Sequence, residues 1–338
     1  MTFLIDAGGD AGATLADIEE GARAFEALGA DAMVVSETRH DAFVAAAIAA
    51  KATSRMQVFT GIAVAFARNP MTVAYAANDL QELSGGRFVL GLGSQVQAHI
   101  EKRFSMPWSQ PAARMAEFAD AVREIWAAWA SGERPQHRGE HYTHSLMTPF
   151  FSPGPNPYGN PEIWLAAVGE RMTETAGAVA DGLIAHPFTT PRYLTEVTLP
   201  ALARGAANAG RAMPGVALQA FIAMGHDEAS IRAAAFETGK QIAFYGSTPT
   251  YLPVLELHGW GAKQEELNGA IRRGDWAALG GIVTEEMVRE FAAVGTPEQV
   301  AAQLKARYGE AVSRLGFYTP YEVAPELWSA LYAALRRQ

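Results

Sequence analysis

The strongest constraint on the fold of this 338-residue chain is a repeated alternation of short apolar runs with longer, alanine-rich amphipathic segments. The short runs have the length and residue types of buried strands, whereas the longer segments carry apolar residues at helical spacing. The eight predicted strands span residues 3–5, 33–35, 56–62, 88–92, 163–168, 183–185, 216–224 and 313–318. The predicted helices span residues 15–28, 41–53, 71–83, 112–130, 173–180, 193–209, 228–244, 297–308 and 325–335.

Strands that alternate with helices pair in parallel through right-handed crossovers, and eight such units close a barrel. The sequence therefore predicts an α/β fold, a (β/α)8 TIM barrel, with insertions after strand four (95–111) and after helix seven (246–290). An open doubly wound sheet is the alternative, but the first strand lacks the glycine fingerprint of such sheets. The proline-rich segment 150–162 is typical of a long barrel loop rather than a linker, so we expect a single domain over residues 1–338.

Composition narrows the range of partners. A net charge of −9 disfavours nucleic acid and acidic membrane surfaces and favours a small-molecule ligand. The absence of cysteine excludes disulfides, thiolate catalysis, zinc–thiolate sites and iron–sulfur clusters. The chain begins with a strand pattern rather than a signal peptide, and no apolar run has membrane-spanning length. A cytoplasmic protein without a membrane span is therefore expected.

The residues at the ends of the predicted strands are the first candidates for a site, because barrels carry their chemistry at the carboxyl ends of strands. Polar side chains at many strand ends exceed what a purely structural barrel requires, since buried polar groups cost stability unless they are paired. This favours an enzyme. The residues at these ends are Asp6, Glu37, Thr60, Gln95, His186 and Tyr318, with Gly61, Gly93 and Gly169 beside them.

The stretch "GGRFVLGLGSQVQAHIEKRF" (85–104) runs from a buried strand through a glycine turn into polar residues. A dinucleotide-binding turn requires a third glycine where Val96 stands, and a P-loop requires Gly-Lys-Ser/Thr. Neither motif is present. The residues alone leave open whether the turn binds a ligand or only ends a strand.

Three stretches together show a family resemblance: "TGIAVAFARNPMTVAYAANDLQELSGGRF", "GGRFVLGLGSQ" and "IWLAAVGERMTETAGAVADGLIAHP". They resemble the bacterial luciferase-like superfamily, and the resemblance spans nearly the whole chain. The segment "LGSQVQAHIEKRFSMPWSQPAARMAEF" is similar to the branch that uses the deazaflavin coenzyme F420 rather than FMN. The resemblance implies an F420-dependent oxidoreductase that transfers a hydride between C5 of the deazaflavin and a small organic substrate, and it implies a homodimer.

The resemblance also implies a set of cofactor-binding residues. Relatives have a non-prolyl cis peptide in a bulge at the end of strand three, which here corresponds to Gly61-Ile62 and would support the deazaflavin ring. The phosphate is expected at the helix N-terminus after strand five, where free backbone amides attract an anion. The full set of expected cofactor-binding residues is Asp6, Thr60, Gly61, Ile62, Gly93, Ser94, Gln95, Ala167, Val168, Gly169, Arg171 and His186.

The predicted catalytic residues follow strand two. Many members of the superfamily carry a histidine directly after the acid at this position, whereas here Thr38 follows Glu37 and a histidine comes only at His40. A histidine with an ordinary pKa near 6.5 suits acid–base work at neutral pH. His40 is thus either a proton-transfer residue or a loop histidine, and Glu37 is the residue expected nearer to the ring.

Two further groups of polar residues have alternative interpretations. His137, His141 and His144 lie close together in sequence, but their spacing does not match a helical zinc motif, so a surface hairpin without metal is expected. In the insertion after strand four, Lys102 and Arg103, with His99, form either a solvated helix face or a positive contact for the acidic tail of the cofactor.

Two other functions remain open from the sequence. An FMN-dependent monooxygenase of the same fold is the first alternative. A non-catalytic cofactor-binding barrel is the second, because the histidine expected directly after Glu37 is missing. The substrate and the direction of hydride transfer are not predicted.

Overall fold

The strands of the protein follow the predicted alternation closely. The computed structural model describes residues 3–8, 13–275, 279 and 281–337. In these residues the strands are β1 (Leu4–Gly8), β2 (Ala32–Val35), β3 (Gln57–Thr60), β4 (Ala63–Val64), β5 (Phe88–Gly93), β6 (His137–Arg138), β7 (Thr143–His144), β8 (Glu162–Ala167), β9 (Gly182–Ala185), β10 (Gly215–Met224), β11 (Ala292–Gly295) and β12 (Arg314–Tyr318).

The helices occupy the intervals between strands. They are α1 (Leu15–Leu28), α2 (Ala42–Ala52), α3 (Pro70–Leu83), α4 (Gln97–Lys102), α5 (Pro111–Ser131), α6 (Glu170–Val179), α7 (Pro191–Tyr193), α8 (Leu199–Asn208), α9 (Glu228–Gly246), α10 (Leu252–Leu257), α11 (Lys263–Arg273), α12 (Glu285–Phe291), α13 (Pro297–Tyr308) and α14 (Pro325–Arg336). In the described part of the chain, no helix combines the length and apolar character that crossing a membrane requires.

The main sheet has the order β10, β12, β1, β2, β3, β5, β8, β9, and β9 pairs again with β10. Neighbouring strands are parallel, as connection through helices requires. This is the strand order of a (β/α)8 barrel, so the predicted TIM-barrel fold is confirmed. β4 pairs with β5, and β11 pairs with the end of β10.

Helix boundaries reflect local capping. Thr14 and Asp17 form a capping box at the start of α1, and Gly29 ends that helix in the left-handed conformation with φ of 85°. Asn69 caps α3 by accepting a hydrogen bond from the amide of Thr72, with Pro70 in the first turn. These short-range signals explain why the predicted span of α1 agrees with the observed one.

Two segments differ from the prediction. The third strand was expected to continue to residue 62, but β3 ends at Thr60 and the chain resumes as β4 after two residues. β11 was not expected, because Ala292–Gly295 continues directly from α12 without a turn signal. The insertion 246–290 contains α10, α11 and the start of α12, and residues 276–278 and 280 of that insertion lie outside the described residues.

The chain divides into two compact units, and the divisions fall within β1, β9, α8 and β10. The N-terminal unit comprises Asp6–Ile184 and Ala201–Gly215, and the C-terminal unit comprises Met1–Ile5, Ala185–Pro200 and Val216–Gln338. The single domain expected from the sequence stays a prediction.

Each unit has its own apolar core. In the N-terminal unit, β2 and β5 are buried along their whole length, as strands of a parallel sheet covered on both faces must be. In the C-terminal unit, Phe188, Phe221 and Phe291 are fully buried among α9, α10 and α12. Half-buried tyrosines, including Tyr245, pack against this core.

Candidate active site

The end of β3 forms a bulge that is tied to the end of β2. The peptide bond Gly61-Ile62 is cis, as the resemblance implied, and this prediction is confirmed. The amide of Gly61 donates to the carbonyl of Val35 at 2.8 Å, and the Ser36 hydroxyl donates to the carbonyl of Gly61 at 2.8 Å. The amide of Glu37 donates to the carbonyl of Ile62 at 3.3 Å. These three hydrogen bonds therefore tie both residues of the bulge to the end of β2 and the residues that follow it.

Glycine at two positions of this region is required by neighbouring protein atoms. A Cβ at Gly61 would lie 2.3 Å from Cγ1 of Val34, and a Cβ at Gly93 would lie 2.9 Å from Cγ1 of Ile62. The absence of a Cβ at these positions leaves room for the side chains of Val34 and Ile62, so that β2, the bulge and β5 pack closely. The expected role of Gly61 and Gly93 in cofactor binding stays a prediction.

Thr60 locks the bulge to β5. Its hydroxyl donates to the carbonyl of Gly91 at 2.9 Å and accepts from the amide of Gly91 at 2.9 Å. Thr60 is fully buried, and a Cβ at Gly91 would lie 1.8 Å from the carbonyl oxygen of Thr60. The hydroxyl expected to contact a cofactor is thus engaged within the sheet.

Glu37 belongs to a buried ion pair that sequence reasoning missed. Its Oε2 atom accepts from the amide of Val64 at 2.8 Å and from Nη1 of Arg68 at 2.7 Å, and its side chain is only 7% exposed. Arg68 also donates to the carbonyl of Val64 and pairs with Asp41. Burial lowers the pKa of Arg68, but its bonds to Glu37 and Asp41 outweigh this effect and the pKa is raised.

His40 lies in the same loop, half-buried and between Glu37 and Asp41 in sequence. It forms no hydrogen bond or ion pair with the residues that the structure describes. The insertion after β5 reaches this loop, because Nη2 of Arg103 donates to the carbonyl of Thr38 at 3.0 Å. The structure therefore brings the loop after β2 and the insertion together, as a shared site would require.

The turn after β5 is satisfied largely by its own atoms. Gln95 has a positive φ of 61°, and its Oε1 accepts from the amide of Val96 at 2.9 Å. The Ser94 hydroxyl donates to the carbonyl of Gln95 at 3.0 Å. Beyond this turn, the side chains of His99 and Lys102 on α4 are exposed.

The expected phosphate site after β8 is open. Gly169 is the N-cap of α6, no side chain caps the helix, and a Cβ built on Gly169 meets nothing within 4 Å. Ala167 and Val168 precede it at the end of β8. Glu170 in the first turn is paired with Arg204 at 2.7 Å, and the same arginine also pairs with Glu174 at 2.9 Å. The arrangement suits an anion at the free amides of α6.

The remaining expected cofactor residues lie in or directly after three different elements of the fold. Asp6 is buried in β1, opposite Ala32 of β2. Arg171 is exposed on α6. His186 lies in the C-terminal unit, directly after β9, where burial lowers its pKa to about 3. The structure therefore keeps the His186 imidazole neutral at physiological pH.

The histidine-rich segment forms the hairpin that the sequence predicts, with β6 and β7 antiparallel and His137 opposite His144. Glu117 of α5 holds the hairpin by accepting from the amides of His141 and Tyr142. Among the described residues, no three histidine, aspartate or glutamate side chains converge on a metal position.

Arg114 is a second arginine that sequence reasoning did not single out, and it contacts the insertion that follows β5. Arg114 of α5 is buried, lies 4.3 Å from the ring of Phe66, and donates to the Tyr142 hydroxyl at 2.7 Å. Its Nη1 atom donates to the carbonyl of Pro107 at 2.7 Å. These contacts anchor residues after α4 beside the segment that follows the bulge.

Fold and site together define an α/β-barrel protein with a fixed backbone bulge at the end of β3. The chain belongs to the luciferase-like monooxygenase family, whose profile matches residues 1–314. Members of this family are oxidoreductases or monooxygenases, which supports an enzymatic activity.

Individual relatives refine this assignment. The chain is 50% identical over 303 residues to an uncharacterised protein of Mycobacterium tuberculosis, covering 89% of each chain. It is 30% identical over 266 residues to 5,10-methylenetetrahydromethanopterin reductase of Methanolobus tindarius, covering 78% of this chain and 77% of that one. The coenzyme F420-dependent tetrahydromethanopterin reductase of Methanopyrus kandleri has the same fold, with a TM-score of 0.81 and 20% identity over 99% of both chains. The expected resemblance to the F420-dependent branch is confirmed.

Proposed function

We propose that this protein is a coenzyme F420-dependent oxidoreductase that transfers a hydride between C5 of the deazaflavin and a small organic substrate. The observation that carries the proposal is the bulge Gly61-Ile62, held by hydrogen bonds to Val35, Ser36 and Glu37 in a chain similar to F420-dependent reductases. The deazaflavin, when bound, supplies the hydride chemistry. The protein supplies binding, orientation and proton transfer.

The chain's own residues fit such a cofactor. The backbone at Ile62 is immobilised from both sides and would support a planar ring. The free amides after Gly169 would hold a phosphate, because the space over this residue is open and no side chain caps the helix. The exposed His99 and Lys102 of the insertion would lie near an acidic tail, which coenzyme F420 has and FMN lacks.

We assign different roles to the two residues that follow β2. Glu37 would have to give up a buried ion pair with Arg68 in order to take a proton, so it is better suited to position the bulge. His40 has no partner among the described residues and is the proposed proton-transfer group. Removing the imidazole in His40→Ala should lower turnover by roughly two to four orders of magnitude while cofactor affinity is nearly unchanged.

The roles of Glu37 and His40 can be separated by measuring turnover and cofactor affinity for each variant. His40→Ala should lower turnover with cofactor affinity nearly unchanged, whereas Glu37→Gln should mainly weaken cofactor binding. Unchanged turnover in His40→Ala would contradict the assignment of the proton-transfer group.

The cofactor itself is tested by fluorescence titration of the full-length apoprotein with F420 and with FMN, at low and at high salt. We expect tighter binding of F420 and a salt-sensitive affinity, because exposed cations would contact its acidic tail. Tighter binding of FMN, with oxygen uptake coupled to product formation, would establish the monooxygenase alternative instead. Tight F420 binding without turnover of any substrate would favour the non-catalytic barrel.

The phosphate site has a matched pair of variants. Gly169→Asp places a negative charge at the free amides of α6 and should weaken F420 binding. Gly281→Asp makes the same change at another glycine with open space and should have no effect. Equal affinities of the two variants would place the phosphate elsewhere.

Light scattering of the purified protein tests the homodimer that the resemblance implies.

A further inference from the structure

The C-terminal unit contains a group of ring side chains, here called the aromatic cluster, that the proposed function does not use. Its members are His186, Phe188, Phe221, Tyr245, Tyr251 and Tyr318. The ring of His186 lies 4.7 Å from that of Tyr251, and the ring of Tyr245 lies 6.3 Å from that of Tyr318. His186 directly follows β9, and Tyr318 is the last residue of β12. Both therefore lie at the carboxyl ends of strands, where barrels carry their sites.

The first hydrogen-bond chain in the aromatic cluster starts at His186. The amide of Phe188 donates to its Nδ1 atom at 3.0 Å, so this nitrogen carries no proton. Because the imidazole is neutral, its proton resides on Nε2, which lies 3.0 Å from the Tyr251 hydroxyl oxygen. Tyr251 therefore accepts from His186. Its own phenolic proton has no acceptor among the residues that the structure describes.

The second chain has the same direction and the same kind of end. Burial raises the pKa of Tyr245 well above its usual range, while a hydrogen bond with Gln241 opposes that shift, as a bond donated to the phenol oxygen does. The Tyr245 hydroxyl in turn donates to the oxygen of Tyr318 at 3.3 Å. In the described part of the chain, the phenolic proton of Tyr318 is likewise left without an acceptor.

We propose that the aromatic cluster is a binding site for a small ligand that carries a carbonyl oxygen on an apolar body, with Tyr251 and Tyr318 as hydrogen-bond donors. Each of the two donor ends calls for a ligand atom that accepts a hydrogen bond, and a carbonyl oxygen only accepts. The surrounding rings suit an apolar body. A carboxylate fits less well, because the only ionisable base in the cluster, His186, is neutral. The proposal is independent of the cofactor.

The test compares three probes on the full-length protein without added cofactor: acetophenone, ethylbenzene and benzoate. Acetophenone and ethylbenzene share an aromatic ring and two further carbons, and differ in the carbonyl oxygen. Titrations followed by ligand-observed NMR should show acetophenone binding roughly tenfold more tightly than ethylbenzene, as one or two net hydrogen bonds give. Benzoate should bind more weakly than acetophenone.

Variants assign the preference to the two tyrosines. Tyr251→Phe and Tyr318→Phe should each reduce the acetophenone-to-ethylbenzene ratio severalfold. The control is Tyr321→Phe, because the hydroxyl of Tyr321 already accepts from Met224 and donates to the carbonyl of Ile222. This control should retain the wild-type ratio.

A second measurement tests the directions of the hydrogen bonds without any variant. Nitrogen-15 spectra of the histidines should show His186 as the Nε2–H tautomer at neutral pH. An Nδ1–H tautomer would reverse the first chain and overturn the proposal. Equal binding of acetophenone and ethylbenzene, or no detectable binding of either, would overturn it as well.

Discussion

The strand-three bulge and the aromatic cluster differ in how far the hydrogen-bonding capacity of their polar side chains is used within the protein. In the bulge, the Thr60 hydroxyl both donates and accepts within the sheet, and one oxygen of Glu37 takes two donors. In the aromatic cluster, two chains of hydrogen bonds end at Tyr251 and Tyr318, whose phenolic protons are accepted by none of the described residues. A satisfied network is rigid and holds a backbone in place, whereas an unsatisfied donor is completed by something from outside. The comparison separates a positioning element from a recognition element.

The largest expected difference concerns buried and exposed arginine pairs. Arg68→Met leaves the Glu37 carboxylate buried without its cation and should lower the free energy of unfolding by about 3–5 kcal/mol. Arg204→Met breaks pairs with Glu170 and Glu174, but these residues are solvated, so little change in the free energy of unfolding is expected. Urea unfolding measures both. Similar losses in the two variants would show that the bulge does not depend on its ion pair.

A smaller effect is expected from glycine substitutions. Gly91→Ala brings a Cβ against the backbone oxygen of Thr60. Because a backbone atom cannot move aside as the end of a side chain can, the variant should lower the free energy of unfolding by about 1–3 kcal/mol. Gly169→Ala places its Cβ in open space and should change stability little. Thermal unfolding of both variants checks the pair. An undisturbed Gly91→Ala would mean that β3 and β5 can separate at the bulge.

His186 of the aromatic cluster should make the free energy of unfolding depend on pH. Because burial lowers the pKa of His186 to about 3, the unfolded chain binds more protons than the folded protein between about pH 3 and its ordinary value near 6.5. The free energy of unfolding therefore falls as pH falls through this window, by about 1–2 kcal/mol between about pH 6.5 and 5.

Urea unfolding at these two pH values measures this loss. His186→Gln should remove it, and His99→Gln on the exposed face of α4 should retain it. An identical pH dependence in His186→Gln and wild type would show that another group is responsible.

The last comparison distinguishes the two kinds of hydroxyl. Thr60→Val leaves both polar atoms of Gly91 without their side-chain partner and should cost about 1–3 kcal/mol. Tyr318→Phe removes a long hydrogen bond and a proton without an acceptor, so its cost should stay within about 1 kcal/mol. If Tyr318→Phe proves as costly as Thr60→Val, the Tyr318 proton has a partner in the folded protein.

Sequence patterns predicted the features that depend on neighbours along the chain. The span of α1 followed from the helical spacing of its apolar residues and from Gly29 after it, and the barrel followed from the alternation of strands with helices. Periodicity did not show that β3 ends at Thr60, because residues 56–62 form one continuous run. The family resemblance, rather than the run itself, pointed to the break at Gly61-Ile62.

Features that depend on distant parts of the chain were not predictable in this way. Arg68 lies before the helix-start signal Asn69-Pro70, and nothing near it in sequence indicates a partner 31 residues away. Tyr251 lies in an insertion without a recognisable motif, so its pairing with His186 could not be inferred. Packing decides these contacts, and a single sequence does not encode packing in a local pattern.

The pairing of the first strand with the last has a consequence for synthesis on the ribosome. Leu4 and Ile5 of β1 lie beside Arg314 and Leu315 of β12, about 300 residues later in the chain. The start of β1 leaves the ribosome about 300 residues before β12, so it cannot pair with β12 until that strand has been made. During that interval one edge of β1 is unpaired, and such an edge can pair with other chains. Slow translation of the segment before β12 would therefore expose the nascent protein to aggregation through β1.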